Sequence, residues 1–242
     1  MRKLKDLSFA KRFSGSKPFF VAFFLFIFSA CGGTNSGPIQ KLQVELQGEK
    51  GYSIILHDMK EEGNFFPSYY HQYRVDVGEN SDYKPFRVVT DSYYKKYSPY
   101  LGMAVAAKTL DGNISSTPFP NGYQYVGNSQ YGQWRTGSNG TSFWEFYGKY
   151  MMLSQVMNWA GNGLFRRDYN TYYSSRGSGR PYYGPKKQYG TNGAITKKQN
   201  SNFFARKAAR KARSKSGFND KINRRIGRSK STFRSRGFSF GK

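Results

Sequence analysis

The sequence predicts an α+β protein: a small, mainly β domain with one aromatic-rich helix, followed by a disordered basic tail. Three observations carry this. Apolar and polar residues alternate with the period of a half-buried strand in several short runs between residues 39 and 135. A serine and a glutamate three positions apart open a long apolar stretch at residue 142, the signature of a capped helix. The charge is segregated: residues 31–165 hold eleven bases and eleven acids, whereas residues 166–242 hold 22 bases and two acids.

The chain opens in the order of an export leader. Arg2, Lys3, Lys5, Lys11, Arg12 and Lys17 face a single acid, Asp6, and an uncharged apolar run from Phe19 to Phe28 follows. That run is shorter than the roughly 20 apolar residues a membrane-crossing helix needs, which favours a cleaved leader over residues 1–30. It ends in Phe28-Ser29-Ala30-Cys31-Gly32, which reads as a lipobox with phenylalanine where such motifs usually carry leucine. An ordinary signal peptide or an uncleaved short anchor are the competing readings. In the lipobox reading Cys31 is the lipidation site and carries acyl chains such as palmitate. Cys31 is also the sole cysteine, so once acylated it leaves no thiol for a disulfide, a metal or a nucleophile, and the fold must rest on packing.

Residues 31–38 form a Gly/Ser/Asn tether that ends in Pro38. Leu42, Val44 and Leu46 alternate with Gln43, Glu45 and Gln47, as in a strand. Residues 69–77 and 85–90 read as further strands with Asn80-Ser81-Asp82 as a polar turn between them. Residues 100–108 fit a buried strand or a short helix, and Asp111-Gly112 after them favours a hairpin. Ser142 and Glu145 then form the capping box of a helix over 142–160, with Glu145 and Lys149 at the favourable spacing of four. Trp144, Trp159 and Met151-Met152 leave two settings open for it, against the β domain or at a membrane interface.

Residues 161–242 are rich in Arg, Lys, Gly, Ser and Tyr and poor in aliphatic residues, so they are expected to be disordered, with a basic helix over 203–214. Arg206, Lys207, Arg210, Lys211, Arg213, Lys215, Arg224, Arg225, Arg228, Arg234 and Arg236 are the candidate groups for binding an anionic surface. Three readings compete. Cations near a charged bilayer contribute about 1 kcal/mol each at low salt, which suits anionic lipids or acidic envelope polymers. Bases interleaved with Tyr and Phe also suit nucleic acid, a partner the export leader argues against. The third reading is a solvated tail.

Enzymatic chemistry finds little to work with. His57 and His71 lie in no metal-ligand spacing, and no cofactor or metal is expected. His57-Asp58 and Glu61-Glu62 are close in sequence, yet a hydrolase would need their placement across a cleft. His71, in Tyr69-Tyr70-His71-Gln72-Tyr73, reads as a structural histidine of a strand.

Tyr69-Tyr70-His71-Gln72-Tyr73-Arg74-Val75, Leu101 to Lys108 with Asp111-Gly112, Gly122-Tyr123-Gln124-Tyr125-Val126-Gly127-Asn128 with Tyr131-Gly132-Gln133-Trp134, Ser142 to Tyr150, and the Ser/Arg/Gly-rich end from Arg234 to Lys242 together resemble a group of uncharacterised bacterial envelope lipoproteins. Genes of that group lie beside those for phage-shock-type membrane coat proteins and polyamine-synthase-like enzymes. The resemblance implies a membrane protein of the envelope-stress or membrane-maintenance setting, with membrane-stress proteins as partners, and it assigns no catalytic residue. Gly32 is not the acidic residue that retains lipoproteins at the inner membrane in Gram-negative sorting, which favours the outer membrane. Incorporation of a clickable fatty acid in the bacterial host is expected for the wild-type chain and lost in Cys31→Ala. Label retained in the variant would remove the lipobox reading.

Overall fold

The computed structural model describes residues 37–63, 66–151 and 164–228. The leader, Cys31, most of the tether, residues 152–160 of the expected helix, and Arg234 and Arg236 lie outside the described residues. The described residues, from Gly37 on, belong to one compact unit.

The fold is α+β. Its elements are α1 (Pro38–Glu45), β1 (Tyr52–Glu62), β2 (Ser68–Val77), β3 (Asn80–Tyr83), β4 (Arg87–Val89), α2 (Asp91–Tyr97), β5 (Met103–Lys108), β6 (Ile114–Ser115), β7 (Phe119–Pro120), β8 (Gly132–Thr136), β9 (Ser142–Phe146), α3 (Arg166–Gly177), α4 (Ala194–Gln199) and α5 (Ser201–Arg228). Seven strands form one antiparallel sheet in the order β3-β2-β1-β5-β6, with β4 beside β3 on the β2 edge and β7 beside β6 on the β5 edge. β8 and β9 form a separate hairpin.

β1 is the strand on which the rest is built. Tyr52, Ile54 and Leu56 point to one face, together with Tyr73 and Val75 of β2, and are covered by Ile39 and Leu42 of α1, Tyr94 and Tyr97 of α2, and Phe203 of α5. Ile55 and Ala104 belong to the opposite face, covered by Phe119, Tyr123, Trp144, Phe146 and Tyr172. The chain therefore has three layers: helices, sheet, and an aromatic layer made of the β8–β9 hairpin and α3. The run Ala104, Ala106, Ala107 in β5 keeps side chains short where both covering layers approach.

Several expectations need correction. The segment expected as a strand at 42–46 is the helix α1. Pro38 sits in its first turn, where a missing N–H costs nothing, and the core contacts fall at Ile39, Leu42 and Leu46, a helical spacing, while Val44 stays exposed. Asn80-Ser81-Asp82 is not a turn. It belongs to β3, which pairs with β2 through Asp82 opposite Val75 and Ser81 opposite Asp76; the turn lies just before it, with Gly78 at φ 58. The hairpin after residue 108 does form: β5 pairs with β6 around a turn in which Gly112, at φ 80, donates its N–H to the Thr109 carbonyl (2.9 Å).

Ser142 and Glu145 do not cap a helix. Residues 142–146 are strand β9, Trp144 opposes Trp134 with ring centroids 5.2 Å apart, and Trp144 and Phe146 are buried with period two. Glu145 turns sideways to accept a hydrogen bond from Arg135 Nε of the neighbouring strand (2.6 Å). Two bulky aromatics on alternate positions, with a Gly-containing turn at 137–141 to close the hairpin, outweigh a local capping pattern.

The tail is not disordered over its described part. α3 buries Tyr172 against Phe119 (5.4 Å) and Tyr123 (5.2 Å). The segment after it is fastened by Tyr182 N–H to the Pro118 carbonyl (3.0 Å) and Thr191 N–H to the Pro99 carbonyl (3.0 Å). Large aromatic rings replace the missing aliphatic side chains as the source of buried area. The basic helix is longer than expected: α5 runs from Ser201 to Arg228.

Because Leu56 is fully buried in β1, Leu56→Ala is expected to cost about 2–5 kcal/mol, read as a lower midpoint of a single urea transition. Val44→Ala, on the exposed side of α1, should stay within about 0.5 kcal/mol of wild type.

Candidate anionic-surface interface

The candidate cations of the tail come together on α5. The helix is held at its N-terminal end. Asn200 Nδ2 donates to the His57 carbonyl (2.6 Å), Phe203 enters the core, and Phe204 packs against its edge. Arg206 Nη2 then donates to both carboxylate oxygens of Asp58 (2.6 Å each), and Arg210 donates to the Glu61 and Gly63 carbonyls (3.0 and 3.1 Å) and pairs with the Glu61 carboxylate (3.2 Å). Arg206 and Arg210, four residues apart, thus meet Asp58 and Glu61 of β1. Sequence reading placed Arg206 and Arg210 with the free cations and missed these acidic partners. The acids Asp58, Glu61 and Glu62 are visible as a cluster in the sequence, but nothing there pairs them with these two arginines over Lys207 and Lys211, which have the same spacing.

The bulge in β1 makes this docking possible. Its register against β2 shifts between Leu56 and Asp58, with His57 as the extra residue. The bulge presents Asp58 to α5 while Met59, next along, stays buried in the core.

Beyond the docked turns the helix is exposed. Lys207, Lys211, Arg213, Lys215, Lys221, Arg224 and Arg225 all face solvent, and Asp220 is the one acid of α5. Arg228 is its last residue. Nearly every cation of the helix that is not needed for docking is therefore presented outward.

Other polar groups are engaged inside the fold. Asp76 accepts from Arg74 Nε and Nη2 (2.9 and 3.0 Å), Ser81 Oγ (2.8 Å) and Asn121 Nδ2 (3.1 Å), which ties β2, β3 and the 121 loop together. Gln124 Nε2 reaches Ser53 Oγ (2.5 Å) in the same layer. His57 stacks edge-on against Tyr83 (4.7 Å), and burial together with the Arg74 guanidinium lowers its pKa. Among the described residues no three His, Cys, Asp or Glu side chains group closely enough to hold a metal ion. A groove of about 860 Å³ lies at the C-terminal loop, bordered by Arg167, Asp168, Tyr182, Lys186 and Gln188.

His71 is fully buried under a wall of tyrosines: Tyr73, Tyr93, Tyr94 and Tyr97 have ring centroids 5.4 to 6.4 Å from its own. Its Nδ1 lies 3.0 Å from the Tyr73 hydroxyl, while Nε2 meets no hydrogen-bond partner among the described residues. It is a core residue, as its strand position implied, with one ring nitrogen satisfied and one not. Burial pushes its pKa down to about 4.

Stability should carry the mark of His71. Between pH 6.5 and about 4 the unfolded chain binds the proton and the folded chain does not. The full stability is thus present above pH 6.5 and is lost as pH falls toward 4, by about 3 kcal/mol in total. Urea midpoints measured across that window should fall for wild type and fall less for His71→Phe, whose remaining slope comes from His57 and, toward pH 4, from Glu62, Asp91 and Glu145, whose ion pairs lower their pKa.

Among the described residues no helix is long and apolar enough to cross a membrane. No family model, no curated protein and no solved structure matches the chain.

Proposed function

We propose that this chain is a non-catalytic lipoprotein of the bacterial cell envelope, tethered through an acylated Cys31, whose C-terminal helix grips an anionic partner. The partner is a polyanionic surface, either lipid head groups or an acidic envelope polymer, and the biological setting is envelope stress or membrane maintenance. The observation that carries the reading is the division of labour on α5: Arg206 and Arg210 are spent on docking to β1, and Lys207, Lys211, Arg213, Lys215, Arg224 and Arg225 are held outward on a helix that the domain positions.

A docked helix changes the physics of adhesion. A disordered polycation loses chain entropy each time it binds, whereas cations on a helix already fixed at one end pay less. The leader supports the same reading from the other end of the chain. Acylation together with a basic patch supplies the two signals that stable membrane attachment requires, since one acyl chain alone holds only marginally. Only six residues separate Cys31 from Pro38, three of them glycine, so acylation at Cys31 would hold the domain close to the membrane that α5 is proposed to grip. The outer membrane is the site this reading favours.

The test spares the docking residues. Lys211→Gln, Arg213→Gln, Lys215→Gln and Arg225→Gln together should leave the urea midpoint unchanged and weaken low-salt binding to vesicles containing phosphatidylglycerol by up to about 10³-fold, at about 1 kcal/mol per removed base. Binding of the wild type should fall as salt rises. Equal affinity of wild type and variant, or binding indifferent to salt, would overturn the reading.

A further inference from the structure

The distal half of α5 carries more than charge. Phe218 is 63 % exposed and Ile222 37 % exposed, and Ile226 continues the same row at the next spacing of four. We infer that this row enters the head-group boundary of an anionic lipid bilayer, making α5 an interfacial helix docked at one end to the domain and at the other to lipid. The inference rests on the reading above and narrows its partner from any polyanion to a bilayer.

The geometry separates the row from the docked face. At about 100° per residue, Phe218 and Ile222 lie roughly 80° and 120° around the helix from Arg210, and about 40° farther from Arg206. Phe203, Arg206 and Arg210 mark the side of α5 that meets β1; Ile222 shares the direction of Phe204 at the rim of that side, about five turns farther along, where it and Phe218 are exposed. In most surface helices the apolar stripe is what packs on the domain. Here Arg206 and Arg210 with Phe203 and Phe204 do the packing, and Phe218 and Ile222 of the distal half stay exposed.

Charge identifies what covers it. Lys215 and Lys221 flank the row along the helix, and Arg224 and Arg225 flank its far end, with Asp220 as their sole acidic neighbour on α5. A second copy of the helix would set this cationic border against another like it, a juxtaposition that repels. An acidic polymer would satisfy the cations and leave Phe218 and Ile222 in water. A bilayer with anionic head groups satisfies both: the long lysine and arginine side chains reach up to phosphates while the apolar row sinks below them.

The test places a single environment-sensitive dye in the full-length Cys31→Ser chain, at Ile222→Cys on the row or at Asp220→Cys roughly 160° away on the helix, with circular dichroism to verify that both labelled chains keep their fold. The vesicles contain phosphatidylglycerol and phosphatidylethanolamine, or phosphatidylcholine alone. With anionic vesicles the dye at 222 is expected to shift to the blue and to be quenched by brominated lipid, while the dye at 220 stays in water; with phosphatidylcholine neither should change. Salt-sensitive binding to anionic vesicles with both dyes in water would overturn the insertion and leave the adhesion reading standing. A blue shift at 222 that appears without vesicles and grows with protein concentration would assign the row to a second copy and overturn it as well. Absence of any preference for anionic vesicles would overturn both readings.

Discussion

Five consecutive residues of β1, Tyr52 to Leu56, are buried, and a strand covered on both faces needs two separate layers to cover it. The chain supplies the first from its beginning and its end, with α1, α2 and the start of α5, and the second from the middle, with the β8–β9 hairpin and α3. The two outer layers therefore come from opposite parts of the sequence, and neither can be removed without exposing one face of β1. Residues 164–204 behave as part of the domain for this reason, even though their composition is that of a tail. With Cys31 as the sole cysteine, packing has to supply the whole of the stability. Tyrosine does much of it: Tyr73, Tyr123, Tyr172 and Tyr182 are all buried, and their hydroxyls sit where burial raises their pKa.

Such a core has no place for lysine or arginine, and the distribution of charge follows. Arg74 is the exception that shows the cost, since it is taken inward only with the Asp76 carboxylate bound in a two-point pair. Among the described residues, most cations of the C-terminal third that do not dock a helix are exposed, and α5 concentrates them. The helix is thus both a structural part, through Phe203, and a carrier of excess charge, through its remaining length.

What was legible in the sequence depended on whether a local pattern agreed with its tertiary setting. β2 and β5 were legible because their apolar runs are bounded by turns and covered on the faces that the pattern implies. The basic helix was legible over 203–214 from alanines at spacing four, though its extension to Arg228 was not, because Gly217 interrupts the pattern without breaking the helix. α1 was misread because Leu42, Val44 and Leu46 satisfy a period of two, while the decisive contact, Ile39, lies outside that run. β9 was misread because Ser142 and Glu145 form a sound local capping pattern that loses to the pairing of Trp144 with Trp134, a contact ten residues away in sequence. β1 was missed altogether, although Tyr52-Ser53-Ile54-Ile55-Leu56 are five residues that fit a buried strand. Its bulge at His57, which aims Asp58 at α5, leaves no trace in the sequence. The candidate interface was legible as a set of cations and illegible as a surface, since nothing local distinguishes Arg206 and Arg210, which dock, from Lys207 and Lys211, which do not.

The strength of that docking bears on how α5 works. The Arg206–Asp58 and Arg210–Glu61 pairs are partly exposed, and exposed pairs contribute about 0–1 kcal/mol each and weaken with salt. Phe203, fully enclosed, contributes about 1.5–3 kcal/mol from its burial alone. The helix is therefore pinned firmly at its first turn and lightly over the next two. The two guanidinium groups held by Asp58 and Glu61 are therefore the part of the contact that rising salt loosens first. Phe203 is the part that salt leaves in place, so the start of the helix stays with the domain whether or not the two pairs hold.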